Sequence, residues 1–139
     1  MSEANKQLAI RWFDEVWNQR SESAIDAMFS ADGKSHGFPQ PDSVLIGPEA
    51  FKSIHRSFLG AFPDLHITIE DLFSEGDRTA VRWRVDMTHT GDHLGFPASG
   101  KKAVLTGVSL FIANGQQILD GWNFMDNGAL FQYLQAPSA

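Results

Sequence analysis

The chain has 139 residues and a formal net charge of −6, from 11 Lys and Arg against 17 Asp and Glu. That length suits one domain with a sizeable core. With no basic run longer than Lys101-Lys102, nucleic acid is excluded as an expected partner, and the lack of Cys excludes disulfides, thiolate metal ligands and cysteine nucleophiles.

Over residues 4–18, Leu8, Ala9, Trp12, Phe13, Val16 and Trp17 recur at three- and four-residue steps, which predicts one amphipathic helix. A second short helix is predicted over 23–29, stopped by Asp32-Gly33. Residues 34–38 read as an extended piece ended by Pro39 and Pro41. Gly47-Pro48-Glu49 opens a third helix, with Pro near its start and an acid in its first turn. Phe51, Ile54, His55, Phe58, Leu59 and Phe62 form its apolar stripe, and Pro63 ends it.

Beyond Pro63 the period falls to two. Residues 65–74 alternate Leu65, Ile67 and Ile69 with His66, Thr68 and Glu70, and Glu75-Gly76-Asp77 supplies a turn. Residues 79–89 form a long strand with Val81, Trp83, Val85, Met87 and His89 on one face. Arg82, Arg84, Asp86 and Thr88 take the other, where salt bridges on the sheet surface are expected. A Gly- and Pro-bearing loop covers 91–100. Strands 104–112 and 118–125 are joined across Asn114-Gly115, a hairpin signal. Asp126 or Asn127 then caps a last helical turn or two through Tyr133.

Segregated helices and strands predict an α+β fold with a mostly antiparallel sheet, and the absence of a linker or repeat predicts a single domain over 1–139. Eleven Phe and four Trp against one Tyr suit a core with an apolar cavity, so a small apolar organic molecule is the expected partner. No run of about 18 apolar residues and no basic leader followed by an apolar stretch is seen, so no membrane is expected and a cytoplasmic setting is. No His pair has metal-ligand spacing, so no metal site is expected.

Three segments carry a resemblance. GPEAFKSIHRSFLGAFPDLHITIEDLFSEGDRTAVRW, residues 47–83, resembles the central block of the SnoaL-like polyketide cyclases, also called ester cyclases. THTGDHLGFPASGK, residues 88–101, resembles that family's Thr-His-x-Gly…Gly-x-Pro-x-x-Gly-Lys segment, and WNFMDNGALFQYL its Trp-x-x-x-Asp…Leu ending. The resemblance implies a nuclear transport factor 2-like cone, in which three N-terminal helices pack on a strongly bent sheet and a short helix closes the chain. It further implies a homodimer formed through the sheet, and cofactor-independent acid–base chemistry, an intramolecular aldol-type closure of a small keto ester.

In the family the acid/base Asp lies directly after the position of Trp122, where this chain has Asn123, and a partnering His falls on Ser109 or Val108. Asn donates to an oxyanion but is no base near neutral pH. Asp126 is the substitute carboxylate or else a helix cap. His36 and His89 are the other catalytic candidates, His89 having a structural role toward the 91–100 loop as its alternative. Trp12, His55, Phe58, Phe62, Trp83, Ser109, Trp122 and Asn123 are the expected substrate-binding residues. Two readings stay open. One is a cyclase; the other is a non-catalytic binder that has lost the acid/base pair, or else another proton-transfer enzyme of isomerase, dehydratase or epoxide hydrolase type.

Overall fold

In the computed structural model, residues 2–137 are described, and the expected domain bounds at 1 and 139 lie outside them. Helix α1 (Ser2–Arg11) turns Leu8 and Ala9 inward. The coil then widens, for Trp12–Asn18 is π-helical and Gln19 N donates across five residues to Asp14 O at 2.8 Å. The regular period had predicted α-helix throughout. The wider winding buries Trp12, Phe13, Val16 and Trp17 together and leaves the Val16 carbonyl to accept from His55 Nε2 at 2.6 Å.

Helix α2 (Glu22–Met28) is capped by Ser21, whose hydroxyl accepts from Ala24 N. It ends one residue sooner than expected, because Phe29 already opens strand β1 (Phe29–His36). Asp32-Gly33 is therefore no helix stop. It sits inside β1, where the register against the last strand shifts between Phe29 and Lys34. Strand β2 (Val44–Ile46), which no local pattern announced, pairs antiparallel with β1. Helix α3 (Gly47–Ala61) has Pro in its first turn, as its sequence predicts.

Strands β3 (His66–Glu75), β4 (Arg78–Thr88), β5 (Lys102–Ala113) and β6 (Ile118–Met125) form an antiparallel meander, followed by helix α4 (Asn127–Gln135). The six strands make one sheet in the order β2-β1-β6-β5-β4-β3, with β1 and β6 parallel. The chain is thus α+β, four helices on a mixed sheet. Val81, Trp83, Val85 and Met87 of β4 face the helices. On the other face Arg82 pairs with Asp71 and Arg84 with Asp86. A shift between Ile69 and Asp71 flips the parity of β3, which leaves Phe73 69% exposed.

Asn5 ties the first helix to the hairpin turns. Its Nδ2 donates to Ala113 O (3.2 Å) and Gly76 O (3.3 Å), and its Oδ1 accepts from Gly115 N (2.8 Å). Asn5→Ala leaves buried backbone groups unpaired, so we expect a loss of about 1–3 kcal/mol in the urea unfolding free energy. An unchanged midpoint would show that these bonds contribute nothing net.

Candidate functional site

The inner face of the sheet and the helices bound a cavity of about 70 Å³. Trp12, Trp17, Phe38, Phe51 and Phe58 wall it in. Its polar side is a row across four neighbouring strands. Trp83 Nε1 (β4) donates to Ser109 Oγ (β5) at 3.0 Å, and Ser109 Oγ donates to Asn123 Oδ1 (β6) at 2.8 Å. Asn123 Nδ2 then donates to Ser35 Oγ (β1) and to the His36 carbonyl, both at 3.1 Å. The His36 carbonyl sets the amide's orientation, since the flipped amide would bring two acceptor oxygens together there.

Two glycines make this row possible. The Trp83 ring crosses Gly107, where a Cβ would stand 2.5 Å from the indole carbons. Gly37, at φ +82°, lets the chain turn away from β1 against the Asn123 carbonyl oxygen, with which a Cβ would collide.

Of the residues singled out from sequence, Trp12, Phe58, Trp83, Ser109 and Asn123 line the cavity together. The remainder stand elsewhere. Ser35 and Asn123 point inward, so the pleat sends their neighbours His36 and Trp122 to the opposite face. There the two rings stack at 5.1 Å, and His36 Nε2 donates to Asp120 Oδ1 at 2.7 Å. Asp126 follows the end of β6 and caps α4, its Oδ1 accepting from Ala129 N at 2.8 Å. Phe62 packs in the core between Phe58 and His89. His55 is wholly buried against Trp17 and the Val16 carbonyl.

His89 secures the 91–100 loop. Its Nδ1 accepts from Ser99 N at 3.0 Å, its backbone exchanges bonds with Lys101 and Gly100, and its ring lies against Phe96. Among the described residues no carboxylate or imidazole lines the cavity, and the one titratable lining residue is the exposed Lys34. No group of three His, Asp or Glu among them could hold a metal ion. None of their helices is long and apolar enough to cross a membrane.

Sequence reasoning missed Ser35. It chose His36 by residue type and by the family resemblance, whereas the strand's parity decides which of the two faces inward. Phe38 and Phe51 were also missed as wall residues, although Phe51 stood on the apolar stripe of α3.

Burial holds the imidazoles of His55 and His89 below the usual histidine range. In the unfolded chain they take up protons near about pH 6.5. Their contribution to stability is therefore complete above that pH and is lost as pH falls toward the lower folded-state values, because the unfolded chain binds more protons. Urea unfolding from pH 7.5 down to 5.5 should show this decline, with a shallower slope in His89→Gln. An equal slope in that variant would remove His89 from the account.

The family model for SnoaL-like polyketide cyclases matches residues 7–134. No curated protein sequence matches the chain. Among solved structures, a protein assigned as a SnoaL-like polyketide cyclase from Jannaschia sp. CCS1 superposes with a TM-score of 0.88 at 24% identity, over 99% of this chain and 95% of that one. IdmH of Streptomyces antibioticus, assigned as a polyketide cyclase, gives 0.78 at 20% identity, over 94% and 97%. A protein with a ketosteroid isomerase-like fold from Catenulispora acidiphila, in complex with trimethylamine, gives 0.68 at 13%, over 84% and 83%. The architecture is the nuclear transport factor 2-like one that the sequence motifs implied, and the chain belongs to the SnoaL-like polyketide cyclase family.

Proposed function

We propose that the chain binds a small, largely apolar organic molecule in the cone and holds it without a side-chain general base. The observation that carries this reading is the lining. Aromatic and aliphatic groups surround a polar row of Trp83, Ser109, Asn123 and Ser35, none of which takes a proton from carbon near neutral pH. The cavity volume of about 70 Å³ is under half of the roughly 150 Å³ that holds a benzene ring. A ring therefore enters as flexible lining side chains such as Met87 and Met125 give way. Binding of this kind calls for no metal or organic cofactor.

Family membership supports a second reading, acid–base chemistry of the aldol type on a small keto ester. Substituting Asn123→Asp tests the two. The new carboxyl stands beside the Ser109 hydroxyl and the His36 carbonyl. The carbonyl favours its protonated form, which raises the pKa as a buried acid/base requires. Small β-keto esters are expected to bind the wild type without turnover and to react only in Asn123→Asp. Turnover by the wild type that is lost in Asn123→Ala would overturn the binding reading in favour of the enzyme.

We also propose a homodimer through the outer sheet face. Val108 and Phe124 are direct cross-strand partners there, and with Val104 they leave a broad apolar surface open, Phe124 being 62% exposed. Light scattering is expected to give twice the chain mass for the wild type and a single-chain mass for the double variant Val108→Glu, Phe124→Glu. A monomeric wild type at high concentration would refute the pairing.

A further inference from the structure

We infer that Ser35 selects the ligand's polar group by donating its hydroxyl proton to an acceptor oxygen, a ketone or ester carbonyl, at the β1 side of the cavity. This rests on the cavity being the binding site. It follows from counting protons along the polar row. The indole N–H of Trp83 is taken by Ser109, and the Ser109 proton by the Asn123 carbonyl. Both amide protons of Asn123 are taken, by Ser35 Oγ and the His36 carbonyl. Ser35 thus only accepts within the row. Its own proton meets no acceptor among the described residues, although the residue is only 4% exposed and borders the cavity.

The direction of the row is not free to reverse. A flipped Asn123 would let Ser35 donate to it, but would set the amide oxygen against the His36 carbonyl. Each bond in such a chain polarises the next, so the last hydroxyl is a better donor than an isolated serine. The acceptors of the row also keep second lone pairs, yet an idle lone pair is tolerated more readily than an idle buried proton. The row therefore asks its ligand for an acceptor more strongly than for a donor. A site arranged in this way discriminates against an analogue that lacks the matching group.

The test uses two near-isosteric probes, cyclopentanone and methylenecyclopentane, titrated by NMR into wild type, Ser35→Ala and Ser35→Thr. Ser35→Ala is expected to weaken cyclopentanone by roughly three- to tenfold, the worth of one hydrogen bond, and to leave methylenecyclopentane unchanged. The carbonyl stretch of bound cyclopentanone, read by infrared difference, should lie at lower frequency in the wild type than in Ser35→Ala. Ser35→Thr, which returns the hydroxyl, should restore both readouts. Equal effects of Ser35→Ala on the two probes, or an unmoved carbonyl stretch, would overturn the role of Ser35 while leaving the cavity as a binding site. Failure of the wild type to bind either probe would overturn the cavity reading itself, and this inference with it.

Discussion

The parallel pairing of β1 with β6 is the constraint on which the site depends. Without it, β6 would be the edge of a four-stranded meander, and Asn123 would face solvent on one side. With it, Ser35 stands opposite Gly121 and His36 opposite Trp122, so Ser35 and the His36 carbonyl come within reach of the Asn123 amide. A parallel pair cannot be joined by a tight turn. Here the connection is most of the chain, α3 and β3 to β5 included, which brings the first and last thirds of the sequence to one polar row. The helices then have a floor to close on. Phe51 and Phe58 from α3 and Trp12 and Trp17 from the widened turn meet above it, with Trp12 and Phe51 5.2 Å apart.

That arrangement explains why an amide suits position 123 electrostatically. An ionised carboxylate there would lie in a small, aromatic-walled space beside the His36 carbonyl oxygen, and desolvation would penalise it heavily. Asn fills the same volume, spends both of its protons on acceptors already present, and accepts the Ser109 proton in return. The polar row of the cavity is thereby left without a charge, and the one charged lining residue is the exposed Lys34. His36 and Asp120 are hydrogen-bonded on the far side of the same two strands.

The division between what the sequence disclosed and what it withheld follows from range. Periods of two and of three to four residues are local, so α3 and the four meander strands were placed within a residue or two. Ile118–Met125 matched at both ends. The Asn123 and Ser109 pair was legible because the family motif puts Trp122 beside it, and the two prove to be direct cross-strand partners. What failed was what depends on distant partners. Asp32-Gly33 looks like a helix stop, and only the pairing of Phe29 with Ile118 makes it an irregularity within a strand. Likewise His36 is chemically the more conspicuous of two neighbours. Nothing within residues 34–38 states which way the pleat turns, and β6 decides it.

The π-helical segment was hidden for a different reason. Trp12, Phe13, Val16 and Trp17 satisfy an α-helical stripe, and their spacing alone cannot distinguish the two windings. The preference comes from His55 on α3. Its Nε2 takes the Val16 carbonyl at 2.6 Å, a group that an α-helix would commit to the amide four residues on. Gln19 N turns instead to Asp14 O and Ser21 N to Glu15 O. The Val16 carbonyl and the Gln19 and Ser21 amides thus all keep partners in the wider winding. Trp17 gains by it, since its ring lies 4.9 Å from His55 and also borders the cavity. A buried histidine outside the cavity thus shapes the cavity's wall, through a backbone carbonyl rather than through chemistry of its own.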